Sequence, residues 1–282
     1  MSMAVASEAT TGTPQRPAPR PVSGLAAWYA THQRLVLGIA GILMILVPWE
    51  LVVRFGLVKE ILVGSPTAVA EAFVKEFERG DIWRHIWASL RVWLVGFGLA
   101  SVAGIFLGLA AGWSRRAGLI TVPWLNVAYA APDLAFVPIF ILWFGLGFTF
   151  KVFVVFIGVI IYVTLNTIAG VHATEERYLA VARTYRAGQI MMFRSIILPG
   201  ALPYIMTGLR IASGRAVVGV IGAEFVSANE GLGFLITISG TTFQTARVFV
   251  GIILIAGFGV LLNEILGRVE RRFDAWRVEV HG

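Results

Sequence analysis

Cysteine is absent from this chain, which excludes disulfide bonds, thiolate catalysis and cysteine-ligated metal sites. Histidine is scarce, and no two of the four histidines have the spacing of metal ligands. Only 14% of the 282 residues are charged, compared with about 25% in a typical soluble domain. The sequence also lacks a G-x-x-x-x-G-K-[ST] phosphate loop, so we do not expect the chain to hydrolyse ATP itself. Charge this scarce predicts a polytopic membrane protein.

Hydrophobic residues make up 57% of the chain and are gathered in six long runs. A helix needs about 20 mostly apolar residues to cross a bilayer. The candidate spans are residues 35–53, 92–113, 119–146, 152–171, 205–226 and 248–266. The third contains Pro123, Pro132 and Pro138, so we expect a short broken helix and then a span from about residue 135, lined by protein or water rather than lipid. The predicted fold class is an all-α polytopic membrane domain with six transmembrane helices over residues 31–282.

The net charge of +7 is spread between the apolar runs rather than gathered in one patch, which argues against nucleic acid as a partner. Lys and Arg are enriched in the cytoplasmic loops of membrane proteins. With the N-terminus inside, the inner segments hold most of the arginines, so we expect both termini in the cytoplasm. We expect the Pro-rich residues 1–30 to be a disordered cytoplasmic tail, because the first apolar run starts too late for a secretory signal.

Two segments outside the spans are predicted to be helical. Ser65-Pro66 supplies an N-cap and a proline for the first turn, so we expect a surface helix after it, within an outer loop of residues 54–91. Residues 174–203, between the fourth and fifth spans, are rich in charge and are called the charged segment below. A polar helix there faces water rather than lipid. Gly188 is expected to divide the segment into two short helices, and Leu198-Pro199 to end it and set the angle into the fifth span.

The motifs YLAVARTYRAG and IILPGALPYIMTGLRIASGRA resemble the cytoplasmic loop of permease subunits of bacterial ABC importers, in the nitrate, sulfonate and taurine branch. The Ile and Leu-Pro of that loop signature fall on Ile196 and Leu198-Pro199. Ala180 and Arg186 stand where the family has Glu and Gly. Further matches are WEL in the first span, ILWFGLG in the third and GRAVVGVIGAE in the fifth, so the resemblance covers nearly everything after residue 35.

The resemblance implies a type I importer-like fold with a cytoplasmic coupling helix, in the bacterial inner membrane. It implies a second permease copy, two ATPase subunits that bind the ATP, an extracytoplasmic solute-binding protein and a small anionic substrate such as nitrate, a sulfonate, taurine or an organic carboxylate. This chain itself is then expected to bind no cofactor or metal. The alternative for the charged segment is an amphipathic loop that rests on lipid headgroups. The candidate ATPase-docking residues are Leu179, Ala182, Arg183, Thr184, Tyr185, Arg186 and Gly188.

Charged residues at membrane depth are candidates for the transport pathway, because each costs about 2.5–3.5 kcal/mol at a helix centre. Arg210 is expected either to line the pathway or to extend its guanidinium to the inner headgroups. Arg215 lies deeper in the span and is expected to bind a permeating anion. The alternative is that Arg215 forms an ion pair with another span or with a second copy of the chain. Glu224 is assigned either to the outer mouth of the pathway or to a helix end in headgroup water. Asp133 is expected to cap the following helix, with a pathway role as the alternative.

Three other classes of protein are weighed against the permease. A channel or ion-coupled carrier without ATP predicts mid-span acidic or histidine relays and inverted repeats, and neither is visible. An intramembrane enzyme needs a nucleophile with a base, yet only Ser101, Ser213 and scattered threonines are available. His85 and His172 are expected in solvated loops. A non-transporting scaffold subunit remains an alternative because of the two departures from the loop signature.

Overall fold

The structure of this protein, a computed structural model, describes residues 24–273 apart from residues 175, 227 and 228, with side chains from residue 32 onward. The described residues fall into two compact units, one up to residue 51 and one from residue 52. The helices are α1 (Gly24–Arg54), α2 (Glu60–Val63), α3 (Pro66–Arg79), α4 (Ile82–Trp113), α5 (Arg115–Ala130), α6 (Val137–Phe144), α7 (Phe148–His172), α8 (Glu176–Thr184), α9 (Gln189–Met192), α10 (Leu198–Val226), α11 (Leu232–Thr241) and α12 (Thr245–Phe273). Most of the predicted disordered tail lies outside the described residues, but α1 begins at Gly24, so residues 24–30 are helical, contrary to that prediction.

The prediction of six spans is confirmed. Five helical stretches of the described chain are long and apolar enough to cross a membrane, and α5 with α6 makes a sixth crossing if the pair is one span. This pair is bent by 90°, and the bend holds Pro132 and a short 3₁₀ helix, Asp133–Phe136. The break agrees with the predicted broken third span. The crossings place α3 and α11 at one end of the bundle, called the α3 end, and the charged segment at the other.

The core of the second unit is α7, which packs between α4 and α10. Valines of α7 are fully buried together with alanines of α10, including Val155, Val159 and Ala216. The approach of α4 depends on glycine, because a Cβ at Gly96 would lie 2.8 Å from the Cβ of Val155. Such a distance requires the helices to move apart, so the small residues fix how closely these two spans pack.

Two parts of the α3 end differ from the prediction. The helix α4 begins at Ile82, so its first turns occupy residues that were assigned to the outer loop. The helix α11 was not predicted, because ten residues are too short to form a span. The surface helix α3 is confirmed, with the Ser65 hydroxyl accepting a hydrogen bond from the Ala68 N–H at 3.1 Å.

Candidate functional site

The charged segment folds as two short helices, α8 and α9, as predicted, and Gly188 is the N-cap of the second. The prediction that Leu198-Pro199 ends this segment is wrong. The chain is helical without interruption from Gln189 to Val226 and passes through a π-helical turn at Phe193–Ile197. In that turn the Leu198 N–H reaches back five residues, to the Phe193 carbonyl. The wider turn accommodates Pro199 without a break in the helix.

One face of α8 presents large side chains to solvent. Tyr178, Val181 and Tyr185, spaced as i, i+3 and i+7, lie on this face and are called the exposed stripe below. Tyr185 is 84% exposed, although a tyrosine of this size is usually covered on one side. Ile190 and Met191 of α9 are exposed as well. The charged segment therefore offers an apolar surface at the end of the bundle opposite α3.

The other face of α8 holds the helix to the bundle. Leu179 packs against a buried cluster that contains Val171 of α7 and Ile197, Ala201 and Ile205. Ala182 is half-buried. Of the seven candidate docking residues, these two thus point inward and anchor the helix, whereas Arg183, Thr184, Tyr185, Arg186 and Gly188 are exposed.

A Schellman turn ends α8. The Arg186 N–H donates to the Arg183 carbonyl at 2.9 Å, and the Ala187 N–H donates to the Ala182 carbonyl at 2.9 Å. Arg186 adopts φ +55, the left-handed conformation that this motif needs and that glycine adopts without strain. Arg186 is thus a departure from the loop signature, at a position whose backbone suits glycine. Thr184 also bonds the backbone, through its hydroxyl to the Ala180 carbonyl at 3.0 Å.

Arg210 ties α10 to α12. Its guanidinium donates to Glu270 at 3.1 Å and to Asn263 at 3.0 Å, and Thr207 donates to the same Glu270 at 2.7 Å. Glu270 is almost completely buried. This geometry favours a packing role for Arg210 over either of the roles considered from the sequence.

Arg215 and Asp133 contact successive turns of the same helix, α7. Arg215 is exposed, and its guanidinium carbon stands 4.8 Å from the centre of the Tyr162 ring. Asp133 accepts a hydrogen bond from the Leu134 N–H at 2.9 Å, so it supports the 3₁₀ turn at the break of the third span. Its other carboxylate oxygen faces Gly158, one helical turn before Tyr162.

Glu224 occupies neither of the places predicted for it. It is fully buried, and its carboxylate accepts hydrogen bonds from the Ser89 hydroxyl at 2.8 Å and from the Gly233 N–H at 2.8 Å. The reason is α11, which folds back so that its N-terminal N–H groups point at the end of α10. A carboxylate at a helix N-terminus satisfies donors that otherwise have no partner.

Two further residues of this buried site come from α4 and were missed. Ser89 accepts the Leu232 N–H at 2.9 Å, and His85 accepts the Gly231 N–H at 3.2 Å through Nδ1. His85 is buried, so its predicted place in a solvated loop is wrong. We call Glu224, Ser89, His85 and the backbone of residues 231–233 the Glu224 network. The partners are up to 146 residues apart, and no spacing in the sequence indicates that they meet.

Within the part of the chain that the structure describes, no group of three or more His, Cys, Asp or Glu side chains could hold a metal ion. The features that remain for function are the exposed stripe at one end and the polar side chains beside α7 at mid-depth.

Comparison with known proteins gives relatives over most of the chain. Residues 100–275 match the family described as binding-protein-dependent transport system inner membrane component. The chain is 30% identical over 239 residues to a Bacillus subtilis (strain 168) permease protein named for aliphatic sulfonate transport, which covers 85% of this chain and 87% of the relative. It is 30% identical over 258 residues to the taurine transport system permease protein of Escherichia coli (strain K12), covering 90% and 94%.

Among solved structures, an inward-facing MetNI methionine ABC transporter matches with a TM-score of 0.61. The match covers 68% of this chain and 95% of that chain, at 16% sequence identity. At this identity the match shows the fold alone.

Proposed function

Because the chain belongs to the inner membrane components of binding-protein-dependent transport systems and is a permease subunit of an ABC importer, we propose that it imports a small anion as a homodimer. Permeases of this family are transport components without an enzymatic activity of their own, and they work with an ATPase and a substrate-binding protein. Two ATPase subunits then bind this dimer, one on the exposed stripe of each copy.

The exposed stripe is the observation that carries the assignment of the docking surface. Tyr178, Val181 and Tyr185 form an apolar face on a polar helix, and large exposed apolar side chains mark surfaces for partners. Leu179, on the opposite face, is anchored to the ends of α7 and α10. A movement of the partner against the stripe is thereby transmitted to two spans at once.

The anionic substrate is inferred from two observations. Two of the relatives are named for aliphatic sulfonates and taurine, both of which carry a sulfonate group, and another is named for bicarbonate. Arg215 is an exposed cation at mid-depth of α10, where a lipid surround is costly. A water-filled path that carries an anion accounts for the names of these relatives and for the exposed cation.

The orientation follows from the site of ATP hydrolysis. A cytosolic ATPase can reach the exposed stripe only if the charged segment faces the cytoplasm. The arginines of this segment, including Arg183 and Arg194, agree with that orientation. With six crossings, we infer that both termini lie in the cytoplasm and that the substrate-binding protein docks at the α3 end.

Tyr185→Asp tests the docking surface. Burial of a tyrosine at the centre of an interface stabilises it by about 2 kcal/mol or more, so a buried aspartate at this position weakens ATPase binding by roughly 30-fold. The measurement is retention of the cognate ATPase subunits during purification of the permease from membranes, together with uptake by the reconstituted transporter. Phe243→Asp is the matched control for ATPase retention alone, because Phe243 is an exposed aromatic at the α3 end, away from the exposed stripe.

Equal ATPase retention by the Tyr185→Asp variant and the wild type would favour a segment that rests on headgroups. Solute movement by the purified chain without any ATPase would instead support the ATP-independent carrier. Normal ATPase binding without any uptake by the wild-type complex would support the non-transporting scaffold.

A further inference from the structure

The break in the third span lies at the middle of the membrane-spanning region. The helix α5 ends at Ala130, and the chain turns by 90° before α6 continues. Backbone that is not helical at this depth is tolerated only where protein or water surrounds it. Broken helices of this kind line substrate sites near the midplane in several transporter folds. The break is therefore a place where a permeating solute can meet polar groups.

Four side chains from three segments converge beside α7 at this break. The rings of Tyr129 and Tyr162 are 5.4 Å apart in an edge-to-face arrangement. The guanidinium of Arg215 stands over the Tyr162 ring at 4.8 Å. Asp133 lies against Gly158, one turn of α7 before Tyr162. We call these four residues the Arg215 station.

The Arg215 station is open on one side. Arg215 lies on an exposed face of α10, together with Ile211, Gly214 and Val218. A Cβ at Gly214 would meet no described atom within 4 Å, so there is room beside the guanidinium. Tyr129, whose ring contacts that of Tyr162, is exposed as well. A solute that passes along this face of α10 can reach the charge of Arg215 directly.

The guanidinium N–H groups of Arg215 are available as hydrogen-bond donors. In the described part of the chain, no carboxylate lies within ion-pair distance of its guanidinium. The contact with the Tyr162 ring holds the cation in place without a carboxylate partner. The guanidinium can therefore give its N–H groups to a ligand, and their fork matches the oxygens of a sulfonate or carboxylate.

We propose that the Arg215 station binds the oxyanion head of a small, singly charged organic anion or zwitterion on its way through the membrane. This inference rests on the proposed function and names the site at which that function selects its substrate. Arg215 holds the acidic group, and Tyr162 positions Arg215. Asp133, on the adjacent turn, repels a second negative charge and attracts an amino group. The positive charge of Arg215 and the negative charge of Asp133 thus favour ethanesulfonate or taurine over the sulfate dianion.

The test uses the purified complex of the permease with its ATPase subunits in lipid nanodiscs. Binding of ethanesulfonate, taurine and sulfate is measured by calorimetry on the wild type and on single variants. We expect ethanesulfonate and taurine to bind and sulfate to bind at least tenfold more weakly. Arg215→Gln lowers the affinity for both sulfonates by at least tenfold, and Arg215→Lys by less, because it keeps the charge. Asp133→Asn raises the affinity for sulfate and lowers that for taurine.

Two further variants separate positioning from packing. Tyr162→Phe keeps the ring beneath Arg215 and is expected to bind ethanesulfonate nearly as well as the wild type, whereas Tyr162→Leu loses most of the affinity. Arg210→Gln is the matched control, because Arg210 is an arginine of the same helix that pairs with Glu270. It is expected to lower the thermal stability and leave the order of the three probes unchanged.

Several results would overturn the Arg215 station. These are absence of binding of both sulfonates to the wild type, an unchanged affinity in Arg215→Gln, and an unchanged preference against sulfate in Asp133→Asn. Separation of the two permease copies in Arg215→Gln would show that Arg215 pairs with the second copy instead. Retention of the ATPase subunits is recorded for each variant. Loss of the ATPase from the wild type would count against the proposed function. The binding affinities of the three probes would still show whether the Arg215 station binds sulfonates.

Discussion

Replacing Glu224 by leucine removes the acceptor at the centre of the Glu224 network. Two buried donors lose their partner, the Ser89 hydroxyl and the Gly233 N–H. A buried donor without an acceptor costs about 1–3 kcal/mol, and the hydroxyl can turn toward another acceptor, so we expect a total of about 2–4 kcal/mol. Leucine fills a similar volume, and the cost of a cavity adds little. The loss is local, because the network fastens the short helix α11 to α4 and α10.

Hydrogen exchange measures this loss directly. The Leu232 and Gly233 amides are both donors in the network and exchange only when the start of α11 opens. A loss of about 2–4 kcal/mol raises the population of the open form by roughly 30-fold to 1,000-fold, since about 1.4 kcal/mol is a factor of ten. The measurement is the exchange rate of the peptide that spans α11, with the purified transporter in nanodiscs.

Matched variants make the measurement specific. Glu264→Leu is the control, because Glu264 is on the surface of α12 and pairs only with its neighbours Arg268 and Arg271 among the described residues. It is expected to leave the exchange of α11 unchanged. Glu224→Gln is expected to fall between the wild type and Glu224→Leu, because its amide oxygen still accepts the Gly233 N–H. Equal protection of α11 in Glu224→Leu and in the wild type would refute a structural role for the buried carboxylate.

Three other experiments have outcomes of known sign. Gly231→Ala is expected to lower the free energy of unfolding by about 3 kcal/mol in thermal unfolding, because Gly231 has φ +123 and an added Cβ would meet the Glu224 carboxylate. The control Gly147→Ala is expected to be tolerated, because no atom lies near the position of its added Cβ. Arg186→Gly is expected to stabilise the end of α8 by about 0.5–1 kcal/mol, because glycine relieves the left-handed backbone, and slower proteolysis of the charged segment checks this. A double-mutant cycle of Arg210→Ala and Glu270→Ala is expected to give a coupling of about 1 kcal/mol in thermal unfolding, and additive effects would contradict the tie between α10 and α12.

The spans could be predicted from the sequence because lipid imposes a simple length rule on apolar runs. The rule fails where charge enters a helix that continues past the membrane. The first turns of α4 carry Arg84, His85 and Arg91, so they read as loop, although they are helical and pack at the α3 end. The same rule has no signal for α11, whose ten apolar residues are too few to cross. The division between α8 and α9 was predicted from Gly188, which is the N-cap of α9, whereas α8 itself ends in the turn at Arg186.

The candidate site was predictable where it depends on neighbours in sequence. Tyr185 was named as a docking candidate from the sequence together with Leu179 and Ala182. Only the structure shows that these last two face the bundle, and that Tyr178 and Val181 are exposed beside Tyr185. Contacts between distant segments could not be predicted. Glu224 and Ser89 are 135 residues apart, and a lone carboxylate near a span end gives no sign of its partner. Tyr162 likewise has no feature in the sequence that connects it to Arg215.

Thiol labelling at the exposed stripe tests the central claim, that a separate ATPase binds there to drive transport. The chain has no cysteine, so Tyr185→Cys introduces a single thiol at a side chain that is 84% exposed. Maleimide labels this thiol in membranes that contain the permease with or without its cognate ATPase subunits, and Phe243→Cys is labelled in parallel. We predict that the ATPase slows labelling of Tyr185→Cys by at least about tenfold and leaves Phe243→Cys unchanged, as expected for a side chain buried at an interface. Equal labelling of Tyr185→Cys with and without the ATPase would contradict the account.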